Sequence, residues 1–277
     1  MDPRAIVLGT AQDGGLPHAG CACGACTQAR REPARVRRVS SLGVVGRTGR
    51  TLLVDATPDF PAQAAALAAA AGREQPVPDA LLLTHAHMGH YLGLAWLGRE
   101  ALDARGLPTW VTGRMDAFLR ANRPWSHLVE RGQVRLERLQ PGVPLDFDGV
   151  ELHAFLVPHR AEDTDTVGLE LRGPRARLVY VSDADVFPPP LVERIHEADV
   201  ALVDGTFHGP DELPHRDLLA VRHPFVRDSV RLLDGGRGAV WFTHLNHSNP
   251  LLAPEASARP ALPPGFGVAH DGQVFAL

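Results

Sequence analysis

The stretch Leu81-Leu82-Leu83-Thr84-His85-Ala86-His87-Met88-Gly89-His90-Tyr91 decides how the rest of the chain is read. A short, unbroken apolar run is followed at once by three histidines within six residues. Such a run is the pattern of a strand buried on both faces, as in α/β proteins whose sheets are covered by helices. Two imidazoles spaced by one residue leave that strand end close together. The third opens a helical pattern beginning near Tyr91. Neutral imidazole is the commonest protein ligand for zinc and also suits iron. The bland alternative is a polar loop that happens to be histidine-rich, but three imidazoles this close cannot all serve a core.

The same context recurs further along. His159 follows Phe155-Leu156-Val157-Pro158, Asp183 follows Leu178-Val179-Tyr180-Val181-Ser182, Asp204 follows Val200-Ala201-Leu202-Val203, and His244 follows Val240-Trp241-Phe242-Thr243. Singly, each is as well explained as a cap or a hydrogen-bonded loop residue. Together they stand at the carboxyl ends of strands, where α/β sheets bind ligands. Imidazoles and carboxylates gathered there from distant segments point to a metal site.

Around these segments the chain punctuates itself with Gly and Pro. Strands are expected at 5–9, 42–45, 51–55, 80–84, 109–112, 134–139, 151–157, 167–171, 178–182, 200–204 and 239–243, with a last strand pattern in 267–277. Helices are expected at 61–71, 91–105, 114–121, 189–198 and 216–233. Strands come first in pairs and then alternate with helices, which describes a layered α/β protein. With 277 residues, 44% of them hydrophobic and 22% charged, the chain has ample apolar mass and is not a disordered one. The net charge of −4 argues against a protein that holds nucleic acid by its phosphates. No segment reaches the roughly 20 apolar residues of a membrane span, and the N-terminus lacks a signal-peptide pattern. A cytoplasmic location with reduced thiols is therefore expected.

Every cysteine falls in Cys21-Ala22-Cys23-Gly24-Ala25-Cys26. Close thiolates separated by small residues suit a tetrahedral zinc, which then needs a fourth ligand. His247, three residues beyond His244, is the best candidate. Zinc there would tie the N-terminal loop to the C-terminal strand and add folding energy. A redox thiol pair or three free cysteines are the alternatives.

The histidine pattern resembles the metallo-β-lactamase superfamily, whose signature is His-x-His-x-Asp-His followed by separate His, Asp and His ligands. The resemblance implies a single domain over residues 1–277, a four-layer αββα sandwich with metal at the sheet edges. It implies a first metal site of His85, His87 and His159, and a second of His90 and His244, with Asp183 bridging the two and belonging to the catalytic machinery. The active-site ion would be zinc, manganese or iron. Gly89 stands where the family places its Asp, so the second site lacks a carboxylate. A weak or empty second site is expected, or one completed by Asp59, Asp204 or water.

Two branches of the superfamily carry a similar N-terminal cysteine site: the coenzyme PQQ synthesis protein B family, and the phosphoribosyl cyclic phosphate phosphodiesterase of phosphonate metabolism. Gly9–Cys26, Asp55-Ala56-Thr57-Pro58-Asp59, Asp204-Gly205-Thr206-Phe207, the segment from His244 to Pro250 and Ala269-His270-Asp271-Gly272 look like the first branch. The fuller histidine cluster and His247 look more like the second. His223 resembles in position the histidine offered there as general acid; a surface cap is the other reading. Asp204 is read as a carboxylate orienting a ligand imidazole, or as a turn former before Gly205. Asp13-Gly14-Gly15 is either a backbone approach to substrate or a turn. Arg160 and the basic stretch Arg30–Arg38 are candidates to receive an anion, with a solvated face as the alternative for the latter.

The leading functional expectation is a metal-dependent hydrolase of an ester or phosphodiester-like small molecule. An iron-dependent oxygenase or hydroxylase and a non-catalytic, metal-stabilised binding module stand beside it. A small-molecule substrate is the expected partner, with a homodimer allowed and with neither nucleic acid nor membrane.

Overall fold

Why apolar runs such as Leu81-Leu82-Leu83 are continuous becomes clear from where alternate residues go. In the computed structural model, which describes residues 2–213, 217–253 and 255–277, Leu81 and Leu83 face a helical layer while Ala80 and Leu82 face a second sheet. Side chains alternate across a strand, so a strand between two cores must be apolar at every position. The first sheet contains β1 (Arg4–Gly9), β2 (Ser41–Val45), β3 (Thr51–Val54), β4 (Ala80–Leu82), β5 (Leu107–Val111) and β6 (Val134–Arg138) side by side in chain order. The second runs through β7 (Leu145–Phe147), β8 (Val150–Val157), β9 (Thr166–Arg172), β10 (Arg177–Val181), β11 (Val200–Asp204), β12 (Ala239–Thr243) and β13 (Phe266–Val268). The last strand, β14 (Val274–Ala276), returns to pair antiparallel with β1.

Each sheet begins antiparallel and continues parallel, from β3 to β6 in one and from β10 to β13 in the other. Three cores result. Val7, Leu52, Leu82, Leu169 and Tyr180 fill the space between the sheets. The helix Phe60–Ala70 packs Phe60, Ala64 and Leu67 on the outer face of the first sheet. Its approach needs Gly43, because a Cβ there would lie 2.7 Å from a Leu67 methyl. The helices Pro189–His196 and Val226–Leu233 cover the second sheet through Leu191, Ile195, Val226 and Leu233. This is the expected αββα sandwich in one domain. No helix among the described residues is long and apolar enough to cross a membrane.

Several local expectations fail for physical reasons. The helix expected over 91–105 is a short α-turn, Met88–Tyr91, followed by a 3-10 segment, Leu92–Leu97. The N–H of Gly93 is diverted to the carbonyl of Ala56 at 2.8 Å, drawing the two backbones together. The helix expected over 216–233 is broken into Leu218–Val221 and Val226–Leu233, and its start lies outside the described residues. Pro224 disfavours helical geometry at His223, and Arg222 has φ +56°. The pattern over 267–277 is two strands in different sheets, separated by a turn through Gly272. The helices Gly24–Arg31 and Trp125–Glu130, and the strand β7, carry signals too short to stand out in the sequence.

Candidate metal centre

The carboxyl ends of β3, β4, β8, β10, β11 and β12 meet at one rim of the sandwich. From these ends come Asp55, His85, His159, Asp183, Asp204 and His244, all buried. Asp55 and His244 sit at φ +66° and +58°. That left-handed conformation is uncommon for residues with a Cβ and often accompanies function.

His85, His87, His159 and Asp183 present donor atoms that all lie within 4.8 Å of one another. His87 Nδ1 is 3.1 Å from His159 Nε2, which in turn is 3.7 Å from Asp183 Oδ1. Donors about 2.0–2.1 Å from a tetrahedral zinc lie about 3.3–3.4 Å apart, so these separations fit a shared ion. His85 Nε2 and Asp183 Oδ2 are buried without any hydrogen-bond partner. Orphaned polar atoms of this kind are rare and call for a ligand or ion. Burial pushes His85 well below the usual imidazole range and His87 down to about 4, and it also lowers His159. The neutral form so favoured is the one that binds metal.

Carboxylates behind these imidazoles set their orientation. Asp55 accepts from the Thr84 N–H at 2.8 Å and from Thr84 Oγ1 at 2.9 Å. Having given its single proton to Asp55, the Thr84 hydroxyl accepts from His85 Nδ1 at 2.9 Å, which leaves the Nε2 lone pair facing inward. Asp55 also holds His90 Nδ1 at 2.7 Å. The second sheet repeats the device. Thr206 Oγ1 donates to Asp204 at 2.8 Å and stands 2.9 Å from His244 Nδ1. Asp204 holds His223 Nδ1 at 2.7 Å, and Asp185 holds His159 Nδ1 at 3.0 Å. Asp204 therefore orients imidazoles and does not reach the centre. Sequence reasoning passed over Asp185 and gave Asp55 no role beyond its place in a family-like segment; for Asp55 the signal was an Asp-x-Thr directly after a strand, as at Asp204.

Asp183 faces both halves of the centre, with His90 Nε2 3.2 Å from its Oδ2 and His244 Nε2 3.2 Å from its Oδ1. Burial works to raise the Asp183 pKa, but the charges of His244 and His90 outweigh it and hold the carboxyl well below its usual range. Burial likewise opposes charge on His90, and the carboxylates of Asp183 and Asp55 overcome it. The carboxylate beside Gly89 is neither Asp59 nor Asp204. Asp59 is engaged elsewhere, accepting from the Val39 N–H at 2.8 Å. Asp13 is the residue that lies against Gly89.

The cysteine cluster forms a second group: Cys21, Cys23, Cys26 and His247 have their donor atoms within 4.8 Å of one another. His247 Nδ1 is 3.6 Å from the sulfurs of both Cys21 and Cys23. A tetrahedral zinc with bonds of about 2.3 Å to sulfur and 2.0–2.1 Å to nitrogen spaces such donors about 3.6 Å apart. Burial pushes the Cys26 thiol up to about 12. A divalent cation is what would favour its thiolate.

The basic stretch Arg30–Arg38 is partly spent internally. Arg37 donates to Thr10 Oγ1 and to the carbonyl of Ala269, and Arg38 pairs with Asp271. Arg160 is exposed, on the loop directly after His159. A cavity of roughly 460 Å³ opens beside the centre, lined by Pro158, Asp185, Val186, Leu218, Arg222 and His223.

Residues 50–247 match the family described as Beta-lactamase superfamily domain. Coenzyme PQQ synthesis protein B from Methylobacterium sp. (strain 4-46) is 32% identical, over 99% of this chain and 100% of that protein. Its counterpart from Xanthomonas euvesicatoria pv. vesicatoria (strain 85-10) is 29% identical, with the same coverage. The solved structure of Zn(2+)-bound PqqB from Methylobacterium extorquens superposes with a TM-score of 0.85 at 25% identity, covering 99% of this chain and 100% of that one. A diphosphatase of the PhnP family superposes with a TM-score of 0.74 at 24% identity, covering 99% and 97%.

Proposed function

This chain belongs to the metallo-β-lactamase superfamily and is a homologue of coenzyme PQQ synthesis protein B, and from that premise we propose that it is a metal-dependent hydrolase of a small ester or phosphodiester. The observation that carries the reading is the convergence of His85, His87, His159 and Asp183 on one point, with His85 Nε2 and Asp183 Oδ2 buried and unpartnered. A divalent cation bound there lowers the pKa of coordinated water to about 7 and polarises the oxygen of the electrophile. Zinc or manganese suits that chemistry. At the cysteine group, three sulfurs and one imidazole suit a structural zinc.

The chain's own residues supply the rest. His223 lines the cavity beside the centre, and its donor atom lies within 4.8 Å of those of Asp183 and His244. Burial opposes charge on His223, but the Asp204 carboxylate outweighs burial and raises its pKa. With Nδ1 held by Asp204, a protonated His223 is placed to give the Nε2 proton to a leaving-group oxygen. The charge of Arg160, which acts on both His87 and His223, is available to an anionic substrate.

A second reading, an iron-dependent oxygenase, draws on the full-length similarity to a coenzyme-synthesis protein and on the donor set, since histidines plus a carboxylate also suit non-haem Fe(II). The test is to load purified protein separately with Zn²⁺, Mn²⁺ and, anaerobically, Fe²⁺. Chelator-sensitive hydrolysis of bis(p-nitrophenyl) phosphate or p-nitrophenyl esters with zinc or manganese supports the hydrolase. Protein with fully occupied histidines that cleaves none of these, yet consumes oxygen in the iron form, overturns it in favour of the oxygenase.

A further inference from the structure

We infer that Asp13 supplies the carboxylate that Gly89 lacks, forming a second metal site with His90 and His244 beside the Asp183 carboxylate. The inference rests on the metal-centre reading above but concerns a residue outside the superfamily's ligand pattern.

Three observations carry it. First, Asp13, His90 and His244 present donor atoms that all lie within 4.8 Å of one another. Asp13 Oδ1 is 3.4 Å from His90 Nε2 and 3.5 Å from His244 Nε2, while Asp183 flanks the pair, its Oδ2 3.2 Å from His90 and its Oδ1 3.2 Å from His244. Ligands of one tetrahedral zinc lie about 3.3–3.4 Å apart, whereas an ordinary N–H···O bond is about 2.9–3.0 Å. Second, Asp13 Oδ1, His90 Nε2 and His244 Nε2 are each buried without a hydrogen-bond partner. Unpaired donor atoms turned toward one another await a shared cation. Third, a Cβ on Gly89 would lie 2.2 Å from Asp13 Oδ1 and 2.8 Å from Asp13 Cα. The glycine and the aspartate are two parts of one substitution: the carboxylate enters from the N-terminal loop, and the helix gives up its side chain to admit it.

The loop is built to hold that position. Just before Asp13, the Gln12 N–H donates to the carbonyl of Leu245 at 2.9 Å, next to His244. Just after it, Leu16 and Arg37 exchange backbone hydrogen bonds at 3.0 and 2.9 Å. Without Asp13, two dications would share the single carboxylate of Asp183, with little to offset their repulsion.

The test is anomalous diffraction at the zinc edge, with metal counting in solution, on wild type, Asp13→Ala and Gly89→Ala after equilibration with zinc. Two peaks are expected at the wild-type histidine centre. In Asp13→Ala the peak between His90 and His244 is lost and its zinc affinity falls by at least about tenfold, while the peak between His85, His87 and His159 remains. Gly89→Ala pushes the Asp13 carboxylate away and gives the same selective loss; the retained peaks show that both variants fold. A second peak at full height in Asp13→Ala, or a wild-type protein with only the first ion, overturns the inference. A wild-type protein with zinc at none of the histidines overturns the metal-centre reading itself.

Discussion

The histidine centre and the cysteine cluster are two metal-ligand groups with opposite origins. At the histidine centre, donors arrive from four strand ends, those of β4, β8, β10 and β12, with Asp13 inferred to join them from the loop after β1. Most are buried, and Asp55, Asp185 and Asp204 set the angles of their imidazoles. The fold makes that site. In the cysteine cluster, three donors come from six consecutive residues running from a loop into the first turn of the helix Gly24–Arg31; Cys23 is exposed and only Cys26 is buried. The sulfurs meet few polar partners besides one another, His247 and nearby backbone N–H groups. Here a bound ion would organise the local fold, because only a cation favours three thiolates side by side. A fold-made site holds its shape when metal leaves, whereas an ion-made one loses it.

Removing one ligand from each group puts this to its strongest test. His85→Ala should abolish metal binding at the first site and lower hydrolysis by more than about 100-fold, beyond the 10–100-fold cost of losing an outer partner. Circular dichroism should be unchanged, since the strands around it are held by three apolar cores. A collapse of the fold in this variant would show that metal builds the histidine centre too.

Cys26→Ser should behave in the opposite way. Its melting temperature should drop by about 5 °C or more, a cost of roughly 2 kcal/mol for a domain this large. Zinc at His85, His87 and His159 should remain. Chelation should lower the melting temperature of wild type and leave little further effect in the variant. An unchanged melting temperature would remove the distinction between the groups.

Acid gives the smallest and finest separation. At both groups protons compete with metal, so falling pH weakens binding. With burial holding His87 at about 4, the first-site imidazoles stay neutral through most of the acid range. The Cys26 thiol, pushed up to about 12, is contested by protons throughout it. In the cobalt-substituted protein, thiolate-to-metal absorption should disappear about one pH unit or more above the point where the histidine-site bands fade. The reverse order would contradict the assignment.

The strand ends and their histidines were readable because their information is local. An apolar run followed by His or Asp is visible at His85, His159, Asp183 and His244 without knowing the fold. The cysteine spacing is local in the same sense. The helix expected after Tyr91 failed because a bond from Gly93 to Ala56, a distant partner, overrode the local pattern. The break at His223 was a weaker failure, since Pro224 signalled it.

The sequence alone determined the layered α/β class and the residue types offered to metal, and its family resemblance exposed the missing carboxylate at Gly89. Tertiary structure alone decided what stands in that gap. Asp59 and Asp204 were the carboxylates considered, and both are turned to other tasks, while Asp13 lies against Gly89 from a loop that spacing could not connect to it. Periodicity and spacing report neighbours along the chain, but a coordination sphere is a set of neighbours in space, fixed only when the two sheets close on each other.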